Sequence, residues 1–280
     1  MRNLFVGFKS TGNDPPDVDR LKLRIGHMND IARALCATVC IVATISASAT
    51  GSHADELKLM CPPPMRTAIV DLVAQFERAT AHKVEIVHIP SRFIMDRVRG
   101  GEAVDVTILT AAATDALIKE GKLTRRTDVA RSSIGIAVVE GAPKPDASSA
   151  DALKRTLLAV KSFARNEGAE SGAHIVSVFE RLGIAEQMKG KTKPIPINSG
   201  YVAGTVARGE IEMAAQQMPE LKAVKGVQAT PLPPELQLYI TFAAGRSASV
   251  KHTGSVEALE NFLRAPPAAA VYRVKGLDPI

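Results

Sequence analysis

Arg66, Arg92 and Arg131 each stand where an apolar run of this 280-residue chain begins or ends. A guanidinium offers a planar fork of N–H donors that fits a carboxylate or phosphate at two points. Arg92 follows the run KVEIVHI (83–89), where it is expected to clamp one carboxylate. Arg131 precedes SSIGIAV, where it is expected to reach a second, with Ser132 adding a hydroxyl donor. Arg66 lies just behind three consecutive prolines in LKLMCPPPMRTAIVDL (57–72). Proline has no N–H, so a ligand met on that turn must rely on Arg66, on shape, and on contact with Pro64 and Met65. Proline geometry leads us to expect an extended, rigid loop there.

The remaining candidates are neutral donors and one imidazole. Ser91 and Thr110 close the second and third strand-like runs. Ser171-Gly172-Ala173-His174 opens a helical pattern, with Ser171 expected as its cap and the following N–H groups, Gly172's included, left to seat an anion. His174 is the best proton shuttle in the chain if it faces the ligand. Ser199 and Tyr201 begin a further helix and are expected on an opposing wall, and Gln216 and Gln217 to donate amide N–H to a carboxylate. The histidines show no H-x-x-x-H or cysteine-partnered spacing, so neither metal nor cofactor is expected. No G-x-S-x-G elbow, glycine-rich phosphate loop or C-x-x-C occurs.

The elements that must position these residues alternate between strand and helix patterns. Strands are expected at 56–60, 83–89, 104–110, 132–143, 193–197, 211–217 and 236–245, with amphipathic helices between them. Ile69, Leu72, Val73 and Phe76 share one helical face, and Ile175, Val178, Phe179 and Leu182 another. The long strands near 132–140 and 236–244 bracket about a hundred residues, the arrangement of two lobes joined by a two-strand hinge. The expected fold is α/β with mainly parallel sheets, one lobe from 55–132 plus 240–280 and the other from 133–239. The default ligand site is then the cleft between lobes.

Residues 1–54 stand apart. The stretch 28–54, with Arg33, an apolar run from Ala34 and small residues before Asp55, reads as a cleaved secretory signal. Residues 1–27 resemble no signal start, so Met28 is read as an alternative start to Met1. Of 35 basic and 29 acidic residues, the segment removes six and four, leaving 29 against 25. That mild, scattered excess suits a small anion and, with no basic run interleaved with aromatics, disfavours nucleic acid. Aromatic residues are 4% of the chain and Trp is absent, so Ala, Val, Leu and Ile must build the core. Cys61 alone remains after the signal and has no internal disulfide partner.

Several segments resemble the periplasmic two-lobe solute-binding proteins, within them the molybdate-binding-protein-like family. These are GGEAVDVTILTAAATDALIKEGKL (100–123), FERLGI (179–184), VARGEIEMAAQQMPEL (206–221) and ALENFLRAPPAAAVYRVKGLDP (258–279). The likeness covers nearly all of 55–280 and implies a periplasmic, monomeric protein that delivers a small anionic solute to an ABC-type permease. The family's oxyanion site implies a small hydroxyl residue where Pro64 stands, serines where Pro90-Ser91-Arg92 stands, and a tyrosine where Gln216-Gln217 stands. These departures imply an organic acid rather than molybdate or tungstate. The chain is also similar to periplasmic aconitate isomerases through GAPKP, LLAVKS, GEIEMAAQQMPEL and PLPPELQ. Binder, isomerase and molybdate-type carrier all stay open at this point.

Overall fold

The computed structural model describes residues 54–280; the expected upstream stretch and signal, up to residue 53, lie outside them. The elements in order are β1 (Glu56–Cys61), α1 (Arg66–Thr80), β2 (Lys83–His88), α2 (Ser91–Arg99), β3 (Val106–Thr110) and α3 (Ala111–Lys119). Then come β4 (Leu123–Val139), α4 (Ala150–Ala159), β5 (Phe163–Glu167), α5 (Glu170–Arg181), α6 (Ala185–Lys189) and β6 (Thr192–Pro196). The chain closes with α7 (Ala203–Ala207), β7 (Met213–Gln217), α8 (Met218–Lys222), β8 (Val227–Pro231), β9 (Tyr239–Ser247), α9 (Thr253–Arg264), α10 (Pro266–Val274) and β10 (Leu277–Pro279).

The strands run in the order β2-β1-β3-β9-β4-β7-β5-β6, with β8 and β10 also on β4. At either end lies a parallel triplet, β2-β1-β3 and β6-β5-β7, while every pairing made by β4 or β9 is antiparallel. The fold is thus α/β and two-lobed, with two long strands at the centre. β4 changes partners along its length: Leu123–Ser133 pair with β9, and Ile134–Val139 pair with β7 and β8. A strand whose two halves belong to different sheets joins those sheets without a flexible linker.

Amphipathic helices cover the sheets because the apolar stripes read from the sequence face inward. Ala68, Ile69, Leu72, Val73 and Phe76 of α1 are buried, and the Phe76 ring meets Phe262 of α9 edge-on at 5.6 Å. On the other lobe, Ile175, Val178 and Phe179 of α5 are buried, and Phe179 meets Phe163 of β5 edge-on at 5.4 Å. Aromatic pairs at such angles add to the area they bury. The expected strands all form, with shifted ends: β4 begins at Leu123, well before the apolar run at 132. Its first half is half-exposed and carries arginines, so it lacks the continuous apolar signal of a buried strand.

Gly172 shows how closely α5 sits on β5. A Cβ there would stand 1.7 Å from the carbonyl oxygen of Asn166. Only a residue without a side chain permits the approach. Gly172→Ala is expected to cost about 1–3 kcal/mol. A urea titration should show a lower midpoint with an unchanged slope, and an unshifted midpoint would refute the contact.

Candidate functional site

The carboxyl ends of both parallel triplets converge on a cavity of about 400 Å³. It is lined after β1 by Pro62, Pro63, Pro64 and Arg66, at the end of β2 by His88, and at the start of α2 by Pro90, Ser91 and Arg92. Thr110 at the end of β3 completes that side. Asn166 of β5, Ile197 beyond β6, and Gln216 and Gln217 of β7 face them, with Glu170, Tyr201 and Glu220. Ligands of α/β proteins gather at such strand ends because helix N-termini follow them.

The proline turn differs from the extended loop expected. Pro62 is extended, at φ −81° and ψ 161°, but Pro63–Met65 form one 3₁₀ turn that leads straight into α1. The Met65 N–H donates to the Pro62 carbonyl at 3.0 Å. Proline's fixed φ suits a first helical turn, where its missing N–H has no partner to lose. The wall still lacks amide donors, and the Pro63 carbonyl accepts from the Tyr201 hydroxyl at 3.2 Å. Met65 is corrected too: it is fully buried in the core and does not line the cavity, whereas Met95 does. The 3₁₀ turn carries its side chain inward.

Arg66 and Arg92 are exposed on the cavity wall, and neither makes an ion pair with a described residue. Arg92 instead lies 4.5 Å over its neighbour Phe93, an attraction that holds the guanidinium without neutralising it. Ser91 lines the cavity from the first turn of α2; Thr110 does so while capping α3, accepting from the Ala113 N–H at 3.3 Å.

A buried network occupies the opposite wall. Gln216 accepts from the Val202 N–H at 3.0 Å and donates through Nε2 to the Glu220 carboxyl at 3.0 Å. Burial pushes the Glu220 carboxyl up to about 8, against hydrogen bonds from Gln216 and the Gln217 backbone that pull it down. It therefore holds its proton at neutral pH. Gln217 is buried, and its side-chain amide oxygen has no hydrogen-bond partner among the described residues. Burial also raises the Tyr201 hydroxyl to about 12, and partial desolvation lifts the carboxyl of Glu170, a cavity-lining residue that keeps substantial exposure.

Six other expected residues lie elsewhere. Arg131 bonds Asp278 at 3.3 Å and stacks 4.7 Å over Tyr239, because its side of β4 faces β10. Ser132 is fully buried and donates to the Ser133 carbonyl at 3.3 Å. Helix α5 begins two residues earlier than a Ser171 cap requires, with Ala169 as its cap; Ser171 is inside it, buried and without a side-chain hydrogen-bond partner among the described residues, and Gly172 faces β5. His174 meets the Leu236 carbonyl at 2.8 Å and pins α5 to that turn. Ser199 is exposed outside the cavity, while its neighbours Gly200 and Tyr201 line it.

Sequence reasoning missed Asn166, Glu170, His88 and Glu220. β5 was not expected, since FARNE is short and mostly polar, and its site residues went with it. His88 ends β2 at the same edge as Thr110 ends β3, a signal that strand counting carries and metal spacing does not. Gln216 lies near the end of β7 and Glu220 in α8, and the tight strand-to-helix turn between them, which residue spacing alone does not reveal, brings the two side chains together. Among the described residues no group of three His, Cys, Asp or Glu side chains is placed to hold a metal ion.

Glu220 links the site to stability. An unfolded glutamate ionises near 4.5, whereas the folded carboxyl keeps its proton to about 8. Its contribution is thus intact below the lower value and is lost as pH rises between the two. Glu220→Gln is expected to melt higher relative to the native chain at pH 8.5 than at pH 5. The difference should be on the order of a few kcal/mol. Parallel melting curves at both pH values would remove the buried acid from the account.

The family model described as bacterial extracellular solute-binding protein matches residues 57–278. An aconitate isomerase from Pseudomonas sp is 33% identical over 221 residues, covering 76% of this chain and 83% of the relative. The substrate-binding domain of a molybdenum ABC transporter from Clostridium difficile superposes with a TM-score of 0.66 at 15% identity, covering 81% of this chain and all of that one. The periplasmic molybdate-binding protein of Azotobacter vinelandii gives 0.66 at 16% identity, covering 79% and 98%. Family match, curated relative and a cavity at opposed strand ends agree: this chain belongs to the bacterial extracellular solute-binding protein family.

Proposed function

We propose that the cleft captures a small organic polycarboxylate. The observation that carries this reading is the pair Arg66 and Arg92, on one wall of the cavity and without an acidic partner among the described residues. Two forks of N–H donors suit two carboxylates of one ligand. The prolines and Met95 beside them offer apolar surface to a carbon skeleton. A bare tetrahedral oxyanion needs a cradle of neutral donors, which Pro62 to Pro64 withhold on this side. On this reading 55–132 with 240–280 form one lobe and 133–239 the other, and they close over the solute about β4 and β9. The setting is the periplasm, where the chain acts as a monomer and presents its solute to an ABC-type permease.

A second reading, favoured by Glu170 and Glu220 on the same cavity, adds chemistry to capture. Two carboxyl groups on one cavity, one buried and one exposed, can serve as acid and base. In an aconitate, Glu170 would take a proton from the methylene carbon. The resulting allylic anion would spread its charge into carboxylates held by Arg66 and Arg92. Glu220 would deliver its proton to the former vinylic carbon, moving the double bond and exchanging cis for trans. The 33% identity to an aconitate isomerase supports this reading over capture alone.

With trans-aconitate or citrate at a hundred times its dissociation constant, the gain in stability is about 2.7 kcal/mol. For a chain this size that raises Tm by about 5 °C or more. Molybdate is expected to do little, and a shift confined to molybdate or tungstate would reverse the ligand assignment. Arg66→Ala and Arg92→Ala should each weaken carboxylate binding about tenfold to a hundredfold. Incubation with cis-aconitate and chromatographic separation of the isomers tests the chemistry. Conversion lost in Glu220→Gln but not in His174→Ala upholds the isomerase, whereas unchanged substrate with tight binding leaves capture alone.

A further inference from the structure

His88 and Cys61 close the β1–β2 pair as register partners in neighbouring parallel strands. The Cys61 Sγ lies 3.0 Å from His88 Nδ1. Cys61 is wholly buried, whereas the His88 ring lines the cavity beside Arg66. Nε2 of His88 makes no hydrogen bond to a described residue, so the ring has one nitrogen engaged by the core and one left over.

We infer that the Cys61 thiol fixes the tautomer of His88, so that the neutral ring presents Nε2–H to the cleft as a third donor for a ligand carboxylate. Cys61 is then a positioning residue that acts through His88, and it never touches the ligand. The inference rests on the carboxylate reading for its ligand, but the tautomer itself does not.

The direction of the hydrogen bond follows from chemistry on both sides. Burial raises the Cys61 thiol far above its ordinary range, so it stays S–H in spite of nearby Arg66. A neutral imidazole has one donor nitrogen and one acceptor nitrogen. If Nδ1 carried the proton it would point at sulfur, a weak acceptor, and the buried S–H would have nothing to donate to. With the proton on Nε2, the thiol donates to Nδ1 and both groups are satisfied. Burial and the Arg66 charge both lower the His88 value, which keeps the ring neutral. A neutral donor beside a guanidinium accepts a carboxylate without adding like charge to that wall.

Multiple-bond ¹H–¹⁵N NMR on the full chain reads the tautomer directly. At pH 7.5 the His88 Nε2 should show the protonated signature and Nδ1 the unprotonated one. Cys61→Ala should drive both nitrogens toward averaged values, and Cys61→Ser, which keeps a donor, should restore the native pattern. The same proteins are then titrated with propane-1,2,3-tricarboxylate, a saturated probe that cannot isomerise. His88→Phe is expected to bind about tenfold weaker or worse, and His88→Gln, whose amide nitrogen can replace Nε2–H, to recover most of that loss. Protonated Nδ1 in the native chain, or a Cys61→Ala spectrum identical to it, would overturn the tautomer lock. The expected spectra with no binding of the probe would overturn the carboxylate reading instead. Equal affinity of native chain and His88→Phe would remove the ring as a ligand donor.

Discussion

One strand of 17 residues has to satisfy its backbone in two sheets, and the site depends on how it does so. A buried peptide group left without a partner is costly. The first half of β4 is therefore committed to β9 and β10, and the second half to β7 and β8. With β9 beside it, β4 holds the two parallel triplets in one continuous order. Their carboxyl ends meet across a single cavity, and side chains far apart in sequence, such as Arg92 and Glu220, become opposing walls of one space.

The two walls are chemically unlike. Around the carboxyl ends of β1 and β2 are Arg66 and Arg92, without acidic partners among the described residues, proline rings, and a histidine whose outer nitrogen has no hydrogen-bond partner among those residues. Around β7 and α8 is a closed network in which Val202, Gln216 and Glu220 satisfy one another. The first wall presents uncompensated positive charge to the cavity. The second holds a proton at neutral pH because burial outweighs the hydrogen bonds that would release it. A ligand that brings carboxylates to the first wall would bring its carbon skeleton toward the second.

Three prolines beside a ligand site have a local explanation. In most such turns the first helical N–H groups are free and seat an anion. Here Pro63 and Pro64 occupy those positions, so the turn is preorganised but offers a carbonyl instead, which Tyr201 takes. On the proposed reading, recognition on that side would fall to side chains, which can be longer and more widely spaced than amides. The arginines supply that reach.

The alternation of elements, the apolar stripes of α1 and α5, the two long central strands and the arginine after β2 were all legible in the sequence, because period and residue type set them locally. FARNE was not, since a five-residue strand with three polar side chains carries too little pattern, and Asn166 was lost with it, while Glu170 was missed because the start of α5 was placed at Ser171. Arg131 and Arg92 looked alike as residues beside apolar runs. Only the pairing of β4 with β10 turned Arg131 toward Asp278, while the end of β2 left Arg92 on the cavity. His174 and His88 were likewise indistinguishable by type. Long-range contacts, with Leu236 for one and Cys61 for the other, separated the histidine that fastens a helix from the one that faces the cleft. Sequence fixes what a side chain can do, but register and burial decide what it meets, because those depend on strands that pair across more than a hundred residues of chain.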